Sequence, residues 1–236
     1  MEIKDKVVLI TGASEGIGLA TARLLSQRGA RVSLAARSAE KLHSASAEMI
    51  DALVVPTDMR DPAAVRSMLG QVHAHYGRID ILVNNAGQGM HVPIEEADLG
   101  QYRAVLELNL VSVLGAMQAA IPFMREQGGG VIVNISSGTS KRIIPGLGPY
   151  SSSKYALNAL SLTARIELGP SNIRVCLVYP GITATNFISN AAAARNVGNR
   201  ENTMPVETPE QVAEKIAEAI ETEAAETYAD SIRPPS

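Results

Sequence analysis

The sequence predicts a doubly wound α/β domain, a mostly parallel sheet of six or seven strands flanked by helices. Three observations carry that expectation. Six short runs rich in β-branched residues recur along the 236 residues. They are continuous apolar runs more than strict alternations, as strands covered on both faces are, whereas a half-exposed strand would alternate. Longer amphipathic stretches with helix start signals lie between them.

In chain order the strand runs are "VVLIT" 7–11, "RVSLAA" 31–36, "ALVVPT" 52–57, "IDILVNN" 79–85, "GVIVNIS" 130–136 and "IRVCLVY" 173–179. "ETYA" 226–229 could add a brief seventh. Asp61-Pro62 supplies an N-cap and a first-turn proline before "AAVRSMLGQVHAHY", and Thr208-Pro209-Glu210 does the same before "QVAEKIAEAIE". Strand, helix and strand repeated this way fold with right-handed crossovers. The length suits a single domain over 1–236. The long polar stretch at 185–207 predicts a lid over about 186–206, since structureless spans of that size in a compact domain are commonly functional.

Composition narrows the function classes. A net charge of −3 argues against a nucleic-acid partner, which would want a basic face. The start of the chain runs straight into a strand with no long apolar segment, so neither a signal peptide nor a membrane span is expected. The single cysteine, Cys176, excludes an intramolecular disulfide and lies inside an apolar run, where packing is the expected role. A cytoplasmic protein is expected. His73 and His75 stand two apart on a helix, the wrong spacing for shared ligation, and no metal is expected.

"TGASEGIG" 11–18 closes the first strand and opens the first helix. Gly12, Gly16 and Gly18 permit a tight turn and a close approach of backbone N–H groups to a pyrophosphate, with Ser14, Glu15 and Ile17 completing the loop. At the end of the second strand an NAD site would carry a carboxylate for the ribose 2′-hydroxyl. Ala36, Arg37 and Ser38 stand there instead, and Arg37 can grip a 2′-phosphate, with Ser38 and Ser14 assisting. NADP is therefore expected over NAD, although Glu15 is an awkward neighbour for a phosphate.

"GPYSSSKYAL" 148–157 places Tyr150 four residues before Lys154, on one helix face. A tyrosine of ordinary pKa near 10 needs about 4 kcal/mol of phenolate stabilisation to titrate near pH 7. One positive charge at about 4 Å in an effective dielectric near 20 supplies roughly that. The pair reads as a phenol tuned for proton transfer.

Taken together, "TGASEGIG" 11–18, Asp58 in "TDMRD", "NNAG" 84–87, Asn109 in "ELNLVS", Ser137 in "NISSG", "YSSSK" 150–154 and "PGITAT" 180–185 stand in the order and spacing of the short-chain dehydrogenase/reductases, which the chain resembles from about residue 5 to at least 222. The resemblance implies a Rossmann-type fold and residue roles. Asp58 would bond the adenine edge beside the Met59 backbone, and Asn85, Ala86 and Gly87 would lie against the adenine ribose. Asn109 would hold a helix bend and a relay water. Ser137 would bind the substrate oxygen, and Tyr150 would be the general acid/base. Lys154 would hold the nicotinamide ribose and lower the phenol pKa. Pro180, Gly181, Thr183 and Thr185 would orient the nicotinamide. Ser137 is preferred to Ser136 because it keeps the family's thirteen-residue spacing to Tyr150, and strand alternation sends the two serines to opposite faces.

The implied activity is NADP(H)-dependent interconversion of a carbonyl (ketone, aldehyde or 3-oxoacyl) and an alcohol. The alternatives are a non-catalytic NADP-binding regulator, or a sugar-nucleotide epimerase using the same Tyr/Lys pair. The pocket wall is expected from Gln88–His91, Thr139–Leu147 and Phe187–Ile188, with a small-molecule partner and no charged anchor. A homodimer or homotetramer is expected through the helices around 98–124 and 150–168. The chain departs from the family pattern in lacking a glycine-rich C-terminal segment, and the compact stretch between Arg37 and Leu53 implies a trimmed second helix.

Overall fold

The computed structural model describes residues 1–187, 189–193 and 205–232. Seven parallel strands form the central sheet: β1 (Val7–Thr11), β2 (Arg31–Ala36), β3 (Leu53–Pro56), β4 (Ile81–Asn84), β5 (Gly130–Ile135), β6 (Ile173–Tyr179) and β9 (Glu226–Tyr228). Their spatial order is β3-β2-β1-β4-β5-β6-β9. The edge strand β9 is the brief seventh strand expected from "ETYA". A separate two-stranded pair joins β7 (Ile182–Thr183) to β8 (Val206–Glu207).

The unbroken apolar runs are explained by cover on both faces. Along β1, Val8 and Ile10 point into a core shared with α1 (Gly16–Gln27), α2 (Ala39–Ser46) and α7 (Pro209–Thr222). Val7 and Leu9 point into the opposite core with α3 (Pro62–Tyr76), α5 (Ser112–Glu126) and α6 (Gly148–Leu168). Cys176 is fully buried in the first core, and desolvation pushes its thiol up to about 11, which keeps it protonated and unreactive. The helix starts read from sequence are present. Asp61 accepts from the Ala63 N–H, and Thr208 and Gln211 form a capping box. The second helix is trimmed, at eight residues.

α4 (Leu99–Leu106) runs into α5 through a π-helical turn, Glu107–Val111. Leu99–Glu126 is long and apolar enough to cross a membrane by length and composition alone, a match that the reading of no membrane span did not single out. Its apolar character has a local cause: Val113, Ala116, Met117, Ala120 and Met124 pack against the sheet.

The strand order reverses between β1 and β4, so their C-terminal ends part and leave a crevice where open α/β sheets bind ligands. A buried polar ladder then fixes α6 to this frame. Asn84 on β4 donates to Asn134 on β5 (2.8 Å), which donates to Ser161 on α6 (2.9 Å).

Candidate active site

At the crevice, the loop after β1 and the loop after β4 are locked together. The buried Thr11 hydroxyl accepts from the N–H groups of Asn85 (3.0 Å) and Ala86 (3.1 Å). The Asn85 amide donates to the Thr11 and Gly12 carbonyls (2.9 and 3.2 Å). Gly12 has φ +66°, and a Cβ there would lie 2.9 Å from Asn85 Nδ2. A Cβ on Gly18 would lie 2.3 Å from the Gly12 carbonyl oxygen. Gly18 therefore faces this packed joint and not the cleft, whereas Gly12, Ser14, Glu15, Gly16 and Ile17 line the cleft. Glu15 N-caps α1 without a side-chain bond to it, so the leading N–H groups of α1 have no side-chain cap.

Arg37, Ser38, Asp58 and Met59 line the same end of the cleft, as do Asn85, Ala86 and Gly87. The Ser38 hydroxyl caps α2 by accepting from the Lys41 N–H (3.4 Å). Two basic residues join them that the sequence reading missed. Lys41, one turn beyond Arg37, donates to Glu15 (2.9 Å). That bond holds the Glu15 carboxyl below the usual carboxylate range and neutralises the awkward neighbour. Arg60 donates to the Gln88 side chain (3.0 Å), and its Nε is buried without a partner. Their spacing from Arg37 and Asp58 was the available signal.

The other end of the cleft holds the reacting groups. Ser137 and Tyr150 are hydrogen-bonded, and Ser137 Oγ also accepts from the Thr139 N–H (3.2 Å) and hydroxyl (3.1 Å). Both serines line the cleft just beyond β5, but Ser136 is buried and donates to Asn158 (2.6 Å) inside the protein. Tyr150 and Lys154 are both buried on α6. Lys154 Nζ donates to the Ile135 carbonyl (2.8 Å) and stands 6.0 Å from the Tyr150 ring centroid.

The expected lowering of the phenol pKa is absent here. Desolvation pushes Tyr150 up to about 12 and Lys154 down to about 8, with the Ser137 bond opposing the tyrosine shift. A charge at 6 Å is worth roughly two thirds of one at 4 Å in the same dielectric, too little to offset burial. Tyr150 therefore keeps its proton at neutral pH.

Asn109 does not reach the cleft. It lies fully buried in the π turn, accepts from the Gln88 N–H (2.9 Å), and donates to the Gln88 carbonyl (2.9 Å) and Ser153 Oγ (3.1 Å). It is a positioning residue joining three segments of the site. Pro180, Gly181, Thr183 and Thr185 line the cleft as expected. Their loop is braced from behind: the Pro180 carbonyl accepts from Gly138 N–H (2.9 Å), and Glu207 accepts from Gly181 N–H (3.0 Å) and Ser231 (3.0 Å). The Ser137 loop is braced too. Lys141 pairs with Glu226 (2.9 Å), which also accepts from Tyr179 (2.6 Å). Glu207, Ser231 and Glu226 gave no sequence signal, because their partners are distant in the chain.

The cleft is one continuous cavity of about 940 Å³ running from Arg37 to Tyr150. Its substrate side is lined by His91, Ile144, Pro145, Leu147 and Phe187. The expected lid falls largely on residues outside those described; of it, Asn190 donates to Glu15 (2.9 Å) and accepts from Gln88 (2.9 Å).

The model of the short chain dehydrogenase family matches residues 6–196, most of the chain. The chain belongs to that family. This short-chain dehydrogenase is 37% identical over 195 residues to a 3alpha-hydroxysteroid dehydrogenase of Mediterraneibacter gnavus, covering 80% of this chain and 78% of the relative. It is 34% identical over 200 residues to a 3-ketodihydrosphingosine reductase of Bacteroides thetaiotaomicron, covering 85% and 72%. It superposes with a TM-score of 0.88 and 26% identity on a 3-ketoacyl-(acyl-carrier-protein) reductase of Brucella melitensis solved with NADH, covering 97% and 98%. As a short-chain dehydrogenase it is an oxidoreductase that uses a pyridine nucleotide to interconvert carbonyl and alcohol groups of small molecules.

Proposed function

We propose that this short-chain dehydrogenase is an NADPH-dependent reductase of apolar ketones, with Tyr150 as the general acid. The observation that carries the reading is the half-buried Ser137 facing the buried Tyr150 at one end of a cavity whose other end is basic. The residues fit a dinucleotide: Gly16 in the loop after β1 faces Thr185, where a Cβ would lie 3.2 Å from that side chain, and Arg37 and Lys41 stand at the far end of the cleft. Gly12–Ile17 would hold the pyrophosphate, Asp58 and Met59 the adenine, Arg37 a 2′-phosphate, Lys154 the nicotinamide ribose, and Pro180–Thr185 the nicotinamide. When bound, the reduced cofactor supplies the hydride that the carbonyl carbon accepts.

The chain's own groups handle the oxygen and the proton. Ser137 and Tyr150 donate to the carbonyl oxygen as it gains negative charge, and Tyr150 passes its proton to that oxygen. A protonated phenol at neutral pH is the state reduction requires, which supports reduction as the direction. Asn109 keeps Gln88 and α6 in register. Ile144, Pro145, Leu147 and Phe187 favour an apolar substrate body, in keeping with the hydroxysteroid and the 3-ketodihydrosphingosine in the names of two relatives. The single buried cysteine suits a reducing, cytoplasmic setting.

We also propose self-association. Leu99, Val111 and Leu114 on the α4–α5 run, and Tyr155, Leu162 and Ile166 on α6, are solvent-exposed apolar side chains, with Ile166 at 80% exposure. A second copy would cover them, and Ile166→Glu should shift sizing-column mass toward the monomer. For the activity, kcat/KM should be measured with NADPH and NADH over a panel of cyclic and linear ketones. Turnover with NADPH preferred is expected. NADH preferred would remove Arg37 from cofactor choice, and no turnover of any carbonyl would sink the reading.

A further inference from the structure

His91 stands inside the substrate half of the cavity, yet no step above uses it. Its ring meets Tyr150 edge-on at 6.2 Å between centroids, and Phe187 tilts against the same phenol at 5.5 Å. Gly89 makes this convergence possible. A Cβ there would lie 3.0 Å from both His91 Nε2 and Phe187 Cε1, so any larger residue would push the two rings apart. The backbone is pinned as well: His91 N–H donates to the Ala193 carbonyl, and Ala192 N–H donates to the Gly89 carbonyl, each at 2.8 Å. The imidazole is therefore held beside the proton donor by packing on one side and main-chain bonds on the other.

What the imidazole lacks is a polar partner. Neither ring nitrogen has a hydrogen-bond partner among the described residues, and the ring is half-buried. Burial lowers its pKa below the ordinary histidine value, so it is neutral at physiological pH, with one N–H donor and one acceptor. The polar neighbours are otherwise engaged: Gln88 bonds Arg60 and Asn190, and Thr139 bonds Ser137. A polar ring held without a partner among the described residues, beside the apolar Ile144, Pro145, Leu147 and Phe187 of the cavity wall, selects for a ligand that brings one.

We propose that His91 is a specificity-determining residue that hydrogen-bonds a second oxygen of the substrate, close to the reacting carbonyl. Resting on the ketone-reductase reading above, this makes the substrate class dioxygenated: a carbonyl bearing another carbonyl or a hydroxyl on the adjacent carbon or the next one. The closeness of the two rings sets that limit. A substrate oxygen bonded by Tyr150 leaves only a short stretch of carbon skeleton before His91 is reached. Hydrogen bonding to a substrate group discriminates better than an apolar wall does, because an analogue lacking the group leaves the protein's own polar atom unpaired.

The test compares butanone, diacetyl and acetylacetone in the parent, His91→Phe and His91→Gln. Diones are intrinsically more reactive than mono-ketones, so the quantity to read is the dione-to-butanone ratio of kcat/KM, variant against parent. One neutral hydrogen bond is worth about 0.5–1.5 kcal/mol, so His91→Phe should lower that ratio about two- to tenfold, mainly through KM. His91→Gln, which keeps a donor and an acceptor, should restore much of it. The same ratio from dissociation constants, by titrating each ketone into enzyme and cofactor, tests His91 even where turnover is absent. His91→Ala serves if the phenylalanine variant does not fold. An unchanged ratio in both kinetics and binding overturns the assignment. Absence of turnover with every ketone overturns the reductase reading alone.

Discussion

At the nucleotide end of the cleft, short main-chain and amide bonds between Thr11, Gly12, Asn85 and Ala86 fix two adjacent strand ends to each other. At the carbonyl end, Ser137, Tyr150 and Lys154 are held on β5 and α6, but the cavity wall comes from loops scattered through the chain. The first end is polar, basic and partly open. The second is desolvated enough to move Tyr150 up and Lys154 down in pKa. The difference teaches that one cleft offers two environments: a polar, basic end framed by main-chain bonds, and a desolvated end whose wall comes from separate loops.

The largest expected effect separates these ends. Tyr150→Phe should lower turnover by about 10²–10⁴, the usual worth of a general acid, while cofactor affinity by fluorescence titration barely changes. A variant as active as the parent would remove Tyr150 from the chemistry.

Lys154 offers a sharper cut, through pH. Its native pKa, near 8, is below the ordinary 10.5, so between those values the unfolded chain binds more protons and parent stability rises with pH. Lys154→Met has no such proton to lose. The parent's stability relative to the variant should therefore improve by on the order of 3 kcal/mol from pH 8 to pH 10.5, read by urea unfolding at several pH values. A gap independent of pH would mean that the ammonium is not desolvated.

At the nucleotide end the effects should be smaller and confined to cofactor choice. Arg37→Ala should weaken NADPH by about 1.5–3 kcal/mol and leave NADH nearly unchanged. Lys41→Ala should cost less, because that ammonium already shares its charge with Glu15. If Lys41→Ala proves the more damaging, the phosphate is held by α2 and not by the end of β2.

The same contrast governs what could be read in advance. All six strand runs, the seventh strand and the starts of α3 and α7 were legible, because apolar runs and caps are local signals. So was the spacing of Ser137 and Tyr150, since one strand end and one helix present them. Three features were not. Asn109 was read as holding a helix bend, and it lies in the π turn, but its bonds to Gln88 and Ser153 were not legible because both partners are distant in the chain. The desolvation of Tyr150 and Lys154 was not legible either, because sequence gives the i+4 neighbour but not its distance or its burial. Lys41 and Arg60 were missed because a basic residue in an exposed helix or turn looks like any solvated charge until the fold points it at a cleft.

The braces formed by Glu207, Glu226 and Ser231 bear on how the enzyme is made as well as on how it works. Ribosomes deliver Ser137, Tyr150 and Gly181 well before the segment that buttresses their loops. Until β9 docks beside β6, the Lys141 and Tyr179 side chains have no carboxylate and the Gly138 backbone lacks the Ile232 side chain that packs on it. A nascent chain stalled before residue 226 would thus carry β1–β6, the Gly138–Pro180 bond and the Glu207 brace, yet lack the Glu226 and Ile232 contacts to the Ser137 loop. Competence for chemistry arrives with the last strand, so quality control by proteolysis near the end of synthesis would discriminate finished enzyme from a cofactor-binding but idle precursor.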